Sequence, residues 1–155
     1  MKSDKSNLTV RYADGRDTDA LYKLWKECFH DTDAFMAYYF DYYLRDNRIL
    51  ILAQENHLKS MIHLNPYTLS VCEKKVNSLY VVGVATDADF RHRGAMTRLL
   101  QRTFSDCYAG RIPLIYLMPA NEAIYTPFQF AYIYSQYVEK KTHTPFSSIH
   151  NVDAA

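Results

Sequence analysis

Between residues 76 and 118 the chain reads as a strand, then a helix, then a second strand. Residues 76–86 include an apolar run that suits a strand covered on both faces. Residues 92–108 carry apolar side chains at helical spacing, and residues 112–118 (IPLIYLM) form another apolar run. A crossover of this kind places two parallel strands beside each other in one sheet. The segment therefore predicts an α/β fold that contains a parallel strand pair.

The rest of the chain adds antiparallel strands and further helices. The patterns predict strands over 7–12, 48–54, 58–71 and 130–138, and helices over 17–29, 33–44 and 121–126. We therefore expect a mixed α/β (α+β) fold with a mostly antiparallel central sheet, one parallel crossover and flanking helices. Residues 1–138 are predicted to form this domain. Residues 139–155 are polar and read as a tail or as the start of a linker to a further domain.

Length, net charge and the spacing of cysteines and histidines limit the classes of molecule that this chain could bind. The 155 residues suffice for one domain with a hydrophobic core. A net charge of +1 gives no general attraction to nucleic acid or anionic lipid, and no apolar run is long enough to span a membrane. The N-terminus is too polar for a signal peptide. The three cysteines show no paired spacing and the histidines no metal-ligand spacing, so we expect a cytoplasmic protein without a metal site.

The stretch FRHRGAM (90–96) breaks a local rule. Helix starts favour acidic residues because their exposed N–H groups carry partial positive charge, yet here Arg91, His92 and Arg93 crowd the predicted start. An anion bound there would explain them, since the free N–H groups of residues 93–97 would point at it. Gly94 and Ala95 would let the backbone approach closely. The alternative is that this stretch is a solvated, charged turn.

A lone glycine interrupts the strand before this stretch. Gly83 lies within residues 79–86 (LYVVGVAT), and a single glycine in a strand often marks a bulge or the close approach of a ligand. Neither a P-loop nor the three-glycine dinucleotide motif is present in the region that follows. Any anion site here therefore belongs to another class.

The wider run VVGVATDADFRHRGAMTRLL (81–100) resembles the acetyl-CoA-binding motif of the GNAT superfamily of N-acetyltransferases. In that motif a central strand leads into Arg or Gln, two residues, Gly, one residue, and then Gly or Ala at a helix start. Arg91, Gly94 and Met96 fall on those three positions, and Met96 departs from the small residue preferred there. The predicted order of strands and helices also agrees with the GNAT fold over about residues 7–138.

A narrower resemblance is to acetyltransferases of the enhanced intracellular survival (Eis) type. The run from Val84 to Leu100 is similar to one motif of these proteins. The run from Ile124 to Phe130 (IYTPFQF) is similar to a second, later motif. Two motifs in the correct order are more specific than either alone.

This resemblance implies a set of site residues. Acetyl-CoA would lie between strands 79–86 and 112–118, with Asn121 near its thioester and Tyr125 as the acid that returns a proton to the thiolate. The remaining residues would contact the pantetheine amides or the pyrophosphate: Val84, Ala85, Thr86, Arg91, His92, Arg93, Gly94, Ala95, Met96 and Thr97.

The sequence does not identify the general base or the residues that would bind the acceptor amine. Four carboxylates are candidates for a general base acting through water, each with a surface or capping role as the alternative: Glu27, Asp31, Asp33 and Glu122. The aromatic segment 37–43 either lines a slot with Asp41 facing an amine or fills the core. His63 is expected to be a hydrogen-bonded residue of the core or its rim.

The resemblance implies an acetyl-CoA-dependent N-acetyltransferase that acts on a primary amine. The acceptor would be a small polyamine, an aminoglycoside-like amine or a lysine side chain. Two alternatives remain, namely a GNAT-fold acyl-CoA-binding module without turnover and an unrelated α/β binding domain. Proteins of the Eis type are usually longer, so additional C-terminal domains or a homo-oligomer are further expectations.

Overall fold

The computed structural model describes residues 7–42, 44 and 47–133. The strands are β1 (Leu8–Tyr12), β2 (Arg48–Gln54), β3 (His57–Val71), β4 (Lys74–Thr86) and β5 (Leu114–Tyr116). The α-helices are α1 (Thr18–Cys28), α2 (Asp33–Tyr42) and α3 (Ala95–Ala109).

The described residues form one five-stranded sheet in which the strands follow chain order. Neighbours from β1 to β4 are antiparallel, whereas β4 and β5 are parallel and are connected through α3. The predicted mixed sheet with one parallel crossover is therefore confirmed. Two tight turns join the long strands, and each has two residues with positive φ, which permits such a turn: Glu55, Asn56, Cys72 and Glu73.

Both faces of the sheet are covered, and β2 shows why its apolar run is continuous. Leu50 and Leu52 pack on the α3 face with Leu99 of α3. Ile49 and Ile51 point to the opposite face and join the cluster formed by α1 and α2. Successive side chains of a strand point to opposite faces, so a strand between two helical layers needs apolar residues at every position.

Three predicted elements differ in their bounds or type in the structure. The helix predicted from residue 92 begins at Ala95, because His92 and Gly94 have φ of 61° and 73°, a left-handed conformation that a helix cannot contain. The strand predicted over 112–118 pairs only over 114–116. The helix predicted over 121–126 is replaced by two 3-10 turns, Glu122–Ile124 and Thr126–Phe128.

The C-terminal predictions are tested only in part. Residues 130–133 are not in a strand, although a strand was expected over 130–138. Residues 134–138 and the proposed tail 139–155 lie outside the described residues.

Candidate functional site

Strands β4 and β5 pair over a short distance and then separate. The paired positions are Ser78 with Leu114, Leu79 with Ile115, and Tyr80 with Tyr116. Strand β5 ends at Tyr116, whereas β4 continues to Thr86. Within the described part of the chain, the edge of β4 from residue 81 onward therefore has no β5 partner. An open edge offers backbone N–H and C=O groups that another chain or a ligand can pair with.

Gly83 marks a bulge in this open part of β4. Met61 of β3 pairs with Ala85, but His63, two residues later, pairs with Val82, so β4 carries one extra residue here. Gly83 has a φ of 58°, and the Trp25 ring of α1 packs directly on its Cα. The predicted bulge is confirmed, and the close approach at this residue is made by a tryptophan on the α1 face.

The carbonyl groups at the end of β4 are partly engaged already. The Ser60 hydroxyl donates to the Ala85 carbonyl at 2.8 Å and lies 2.8 Å from the Thr86 hydroxyl. The Thr86 carbonyl accepts from Nε of Arg91 at 3.3 Å. Of the three residues expected to pair with pantetheine amides, Val84 is the one whose carbonyl takes part in none of these contacts.

Two arginines flank the start of α3. Both are exposed, and the Arg93 guanidinium carbon lies 5.3 Å from the centroid of the Phe90 ring. Phe90 is itself buried, so this cation–π contact anchors Arg93 to the core. Arg91 is anchored through its contact with Thr86. Both cations are thus attached to the scaffold close to the helix N-terminus.

The first turn of α3 has backbone N–H groups that bond to no backbone carbonyl of the described residues. Arg98 is the first residue of this helix whose N–H bonds back to a backbone carbonyl, that of Gly94 at 3.2 Å. The N–H groups of Ala95, Met96 and Thr97 precede it, and among the described residues they donate to no backbone carbonyl. A Cβ added to Gly94 would meet no atom within 4 Å, so there is space in front of the loop. Space, free donors and two cations are what an anionic group requires.

Met96 departs from the motif without blocking this space. Its side chain is partly buried and packs against the core cluster on the α3 face. Ala95 is buried beside it. Both side chains therefore point away from the solvent in front of the helix.

Tyr125 lies close to the point where β4 and β5 separate. It is half-buried, and its ring meets Phe130 edge-on with 5.8 Å between centroids. Burial, with a smaller contribution from neighbouring Tyr80, raises the pKa of Tyr125 above the usual value for a tyrosine. Tyr80 belongs to the last paired position of β4, and Tyr125 lies in the segment that follows β5, at the end of the sheet where the two strands separate.

Asn121 and the candidate bases are mostly engaged in local structure. Asn121 accepts from the Ala123 N–H at 3.0 Å and caps the following 3-10 turn. Asp31 accepts from the Trp25 indole at 2.9 Å, and Asp33 from Lys26 at 3.0 Å. Glu27 faces Lys23, while Glu122 and Asp41 are exposed. None of these contacts singles out a general base.

One group of residues at this site was not predicted from the sequence. The rings of Tyr67, Tyr80 and Tyr116 lie on adjacent strands, with centroids 6.3 Å apart for the first pair and 5.1 Å apart for the second. The signal that was available is that Tyr80 and Tyr116 occupy similar places in the two strands of the crossover.

A separate cavity of about 470 Å³ lies beside the C-terminal half of α3, away from its N-terminal end. There the Tyr12 hydroxyl donates to Asp106 at 2.6 Å, and burial raises the pKa of Tyr12 to about 12. Arg102 holds the same carboxylate. Among the described residues, no three His, Cys, Asp or Glu side chains are grouped as a metal site would require.

Comparison with known families decides what kind of domain this is. The family model described as "Acetyltransferase (GNAT) domain" matches residues 9–133. The chain belongs to the GNAT acetyltransferase family. The match contains all eight strands and α-helices described above except the first residue of β1. No curated protein sequence matches the chain.

Solved structures share this GNAT fold at low sequence identity. A predicted acetyltransferase from Clostridium acetobutylicum, solved with acetyl-CoA, has a TM-score of 0.71 and 18% identity, covering 85% of this chain and 94% of its own. Glucosamine-6-phosphate N-acetyltransferase from Arabidopsis thaliana has a TM-score of 0.68 and 12% identity, covering 88% and 99%. These identities establish likeness of fold alone.

A third structure is much longer than this GNAT domain. It is a conserved protein of unknown function from Enterococcus faecalis, described as a probable N-acyltransferase, with a TM-score of 0.72 and 14% identity. The match covers 79% of this chain but only 32% of the Enterococcus protein. Among the residues described for the present chain, no helix has both the length and the apolar character needed to cross a membrane.

Proposed function

We propose that this chain is an acetyl-CoA-dependent N-acetyltransferase that moves an acetyl group to a primary amine. The observation that carries the proposal is the separation of β4 from β5 directly beside a helix start bearing Arg91 and Arg93. The open edge of β4 suits the amide groups of pantetheine, and the helix start suits a pyrophosphate. Family membership makes acetyl transfer the natural activity for such a site.

The residues proposed to hold acetyl-CoA divide into two groups. Arg91 and Arg93 would neutralise the phosphates, with the N–H groups of residues 93–97 as further donors. Val84 would pair with the pantetheine. The Thr86 carbonyl already accepts from Arg91 and from the Cys28 thiol, and the Ala85 carbonyl accepts from Ser60, so the part proposed for these two residues rests on the motif. Asn121, at the cap of its 3-10 turn, would lie towards the thioester end.

Tyr125 is proposed as the general acid. The neutral amine attacks the thioester carbonyl carbon and loses a proton to solvent, the C–S bond breaks, and the departing thiolate takes a proton from Tyr125, which regains one from solvent. The raised pKa keeps the Tyr125 hydroxyl protonated at neutral pH, so a proton is available there. Burial also limits competition from solvent water.

Replacing Tyr125 by phenylalanine tests this role. General acids typically contribute at least about 100-fold, so Tyr125→Phe should lower kcat by about that factor while the Kd for acetyl-CoA stays constant. Tyr108→Phe is the matched control, since Tyr108 is 90% exposed on α3. Release of CoA thiol, followed with an excess of amine, gives kcat. Unchanged turnover in Tyr125→Phe would exclude it as the acid.

A non-catalytic acyl-CoA-binding module is the second candidate. The observation in its favour is that Asp31 and Asp33 accept hydrogen bonds from Trp25 and Lys26, so neither is aimed at the strand separation. Acetyl-CoA binding without thiol release in the presence of any amine would establish this alternative. Release with an amine would exclude it.

The narrower Eis-type assignment is part of the proposal. It rests on the motifs at residues 84–100 and 124–130 and is compatible with the greater length of the Enterococcus structure. On this proposal residues 1–138 are an N-terminal catalytic domain of a cytoplasmic protein, and residues 139–155 lead toward further domains or remain a tail. Additional domains or a second copy would then complete the acceptor pocket.

A further inference from the structure

Three tyrosines from adjacent strands form a continuous aromatic surface, called here the tyrosine strip: Tyr67, Tyr80 and Tyr116. The Tyr67 and Tyr80 rings meet edge-on at 6.3 Å, and the Tyr80 and Tyr116 rings lie 5.1 Å apart at a tilt of 38°. Tyr67 is 41% exposed, and the other two rings are half-buried. The strip is therefore a surface that a ligand can reach, built on strands rather than on loops.

Sheet register fixes which face the strip occupies. Tyr80 is directly opposite Asn65 in β3 and Tyr116 in β5, so these three side chains share one face. The Tyr39 hydroxyl of α2 donates to Asn65 at 3.4 Å, which identifies this face as the one covered by α1 and α2. It is opposite to the face on which α3 packs.

The strip also marks the place where β4 and β5 part. Tyr80 and Tyr116 are the last paired residues before the separation. Tyr125 is near enough for Tyr80 to contribute to its raised pKa. An amine bound on the strip would thus lie at the end of the gap proposed for the thioester.

The strands that form this surface carry no acidic residue. Residues 57–72, 74–86 and 107–121 contain no Asp or Glu. These three segments therefore provide no carboxylate to pair with the several ammonium groups of a polyamine or an aminoglycoside. Tyrosine rings instead attract one ammonium group over their faces and stack with another ring.

We propose that the acceptor is an arylalkylamine, a molecule with one primary amine and an aromatic ring, bound across Tyr67, Tyr80 and Tyr116. This inference rests on the proposed acetyltransferase function and narrows its substrate class. The aromatic ring of the acceptor packs on the strip, and its amine reaches the strand separation. Tyr67 and Tyr116 are specificity-determining residues on this account.

The test compares phenylethylamine, spermidine and a lysine peptide as acceptors, with the Kd for acetyl-CoA measured separately by calorimetry. Phenylethylamine should give a kcat/KM at least about tenfold above those of the other two, as one good aromatic contact can provide. Tyr67→Leu and Tyr116→Leu should each raise KM for phenylethylamine about tenfold. Both should leave kcat and the Kd for acetyl-CoA nearly unchanged. Tyr67→Phe and Tyr116→Phe should raise KM less than the leucine variants do, because the ring is kept.

Tyr108→Leu, on the far side of the sheet, is the matched control and should behave as the wild type. Tyr67→Leu carries the test alone if Tyr116→Leu fails to fold, since Tyr67 is the more exposed of the two. Faster transfer to spermidine or to the lysine peptide would overturn the inference and leave the acetyltransferase function standing. An absence of acetyl-CoA binding would overturn both.

Discussion

Gly83 is the single residue on which the shape of β4 depends most. Its φ of 58° is unfavourable for any residue with a Cβ, and an added Cβ would lie 2.3 Å from Cζ3 of Trp25. Left-handed backbone costs about 1–2 kcal/mol, and overpacking of this kind costs about 1–3 kcal/mol. We therefore expect Gly83→Ala to lower the free energy of unfolding by at least about 2 kcal/mol, as measured by chemical denaturation.

Two other glycines allow the cost of a left-handed backbone to be measured apart from the cost of steric crowding. Gly94 has a φ of 73° but open space around it, so Gly94→Ala should cost only about 1 kcal/mol. Gly15 has neither a positive φ nor a neighbour within 4 Å, so Gly15→Ala should be neutral or slightly stabilising. Equal effects of the three substitutions would contradict this account of Gly83.

Individual residues were predictable from the sequence where the signal is local. A lone glycine in a strand was enough to predict the bulge. The approach of Trp25 was not predictable, because it joins α1 to β4 across more than 50 positions and depends on the packed fold. The engagement of the Ala85 carbonyl by Ser60 was missed for the same reason.

Among the elements, α1, α2 and β3 bury a neutral histidine between them. His63 is fully buried, and its ring contacts Trp25, Tyr39 and Phe40. Its Nδ1 lies 3.1 Å from the Tyr39 hydroxyl, whereas Nε2 has no hydrogen-bond partner among the residues that the structure describes. Burial lowers the pKa of His63 to about 3. The expectation of a hydrogen-bonded residue in the core is borne out for one of its two nitrogens.

This histidine makes stability depend on pH in one direction. Above the ordinary pKa of 6.5 the ring is neutral in both the folded and the unfolded chain, and His63 contributes no pH dependence. As the pH falls from 6.5 towards 3, the unfolded chain binds a proton that the folded chain excludes, so the folded state loses stability. The expected loss is at most about 1.4 kcal/mol for each pH unit in that window.

The variant His63→Phe isolates this contribution. Denaturation at several pH values should show a shallower loss of stability on acidification for the variant than for the wild type. The aromatic cluster accepts a ring at this position, although the contact with Tyr39 is lost. Identical pH dependence of the two proteins would contradict the account of a buried neutral His63.

The order of elements was predictable because hydrophobic periodicity is a property of each segment alone. Their ends were less predictable. Helix α3 starts three residues late because His92 and Gly94 adopt left-handed conformations, and β5 is shortened because β4 diverges from it. On α2 two residues are buried, Met36 and Tyr39, and three are exposed, Phe35, Tyr38 and Tyr42. The segment is aromatic on nearly all sides of the helix, so the sequence did not distinguish the buried residues from the exposed ones.

For the whole molecule, α3 begins after β4 and the segment with Tyr125 begins after β5, so both lie at the same end of the parallel pair as the open edge of β4. The sequence predicted two parts of this site from motifs, residues 84–100 and 124–130. It did not predict the tyrosine strip, because cross-strand neighbours depend on register, which no single strand encodes. The roles of the motif residues remain predictions.

Calorimetric titration with acetyl-CoA, on the wild type and on Arg91→Ala/Arg93→Ala, is the most direct measurement. The unbound variant should keep its stability within about 1 kcal/mol, because removing cations from a helix start offsets the lost contacts with Thr86 and Phe90. Its Kd for acetyl-CoA should rise at least about tenfold, since charge-assisted hydrogen bonds contribute about 1.5–3 kcal/mol. Equal affinity in the two proteins, or no binding by the wild type, would contradict the proposed site.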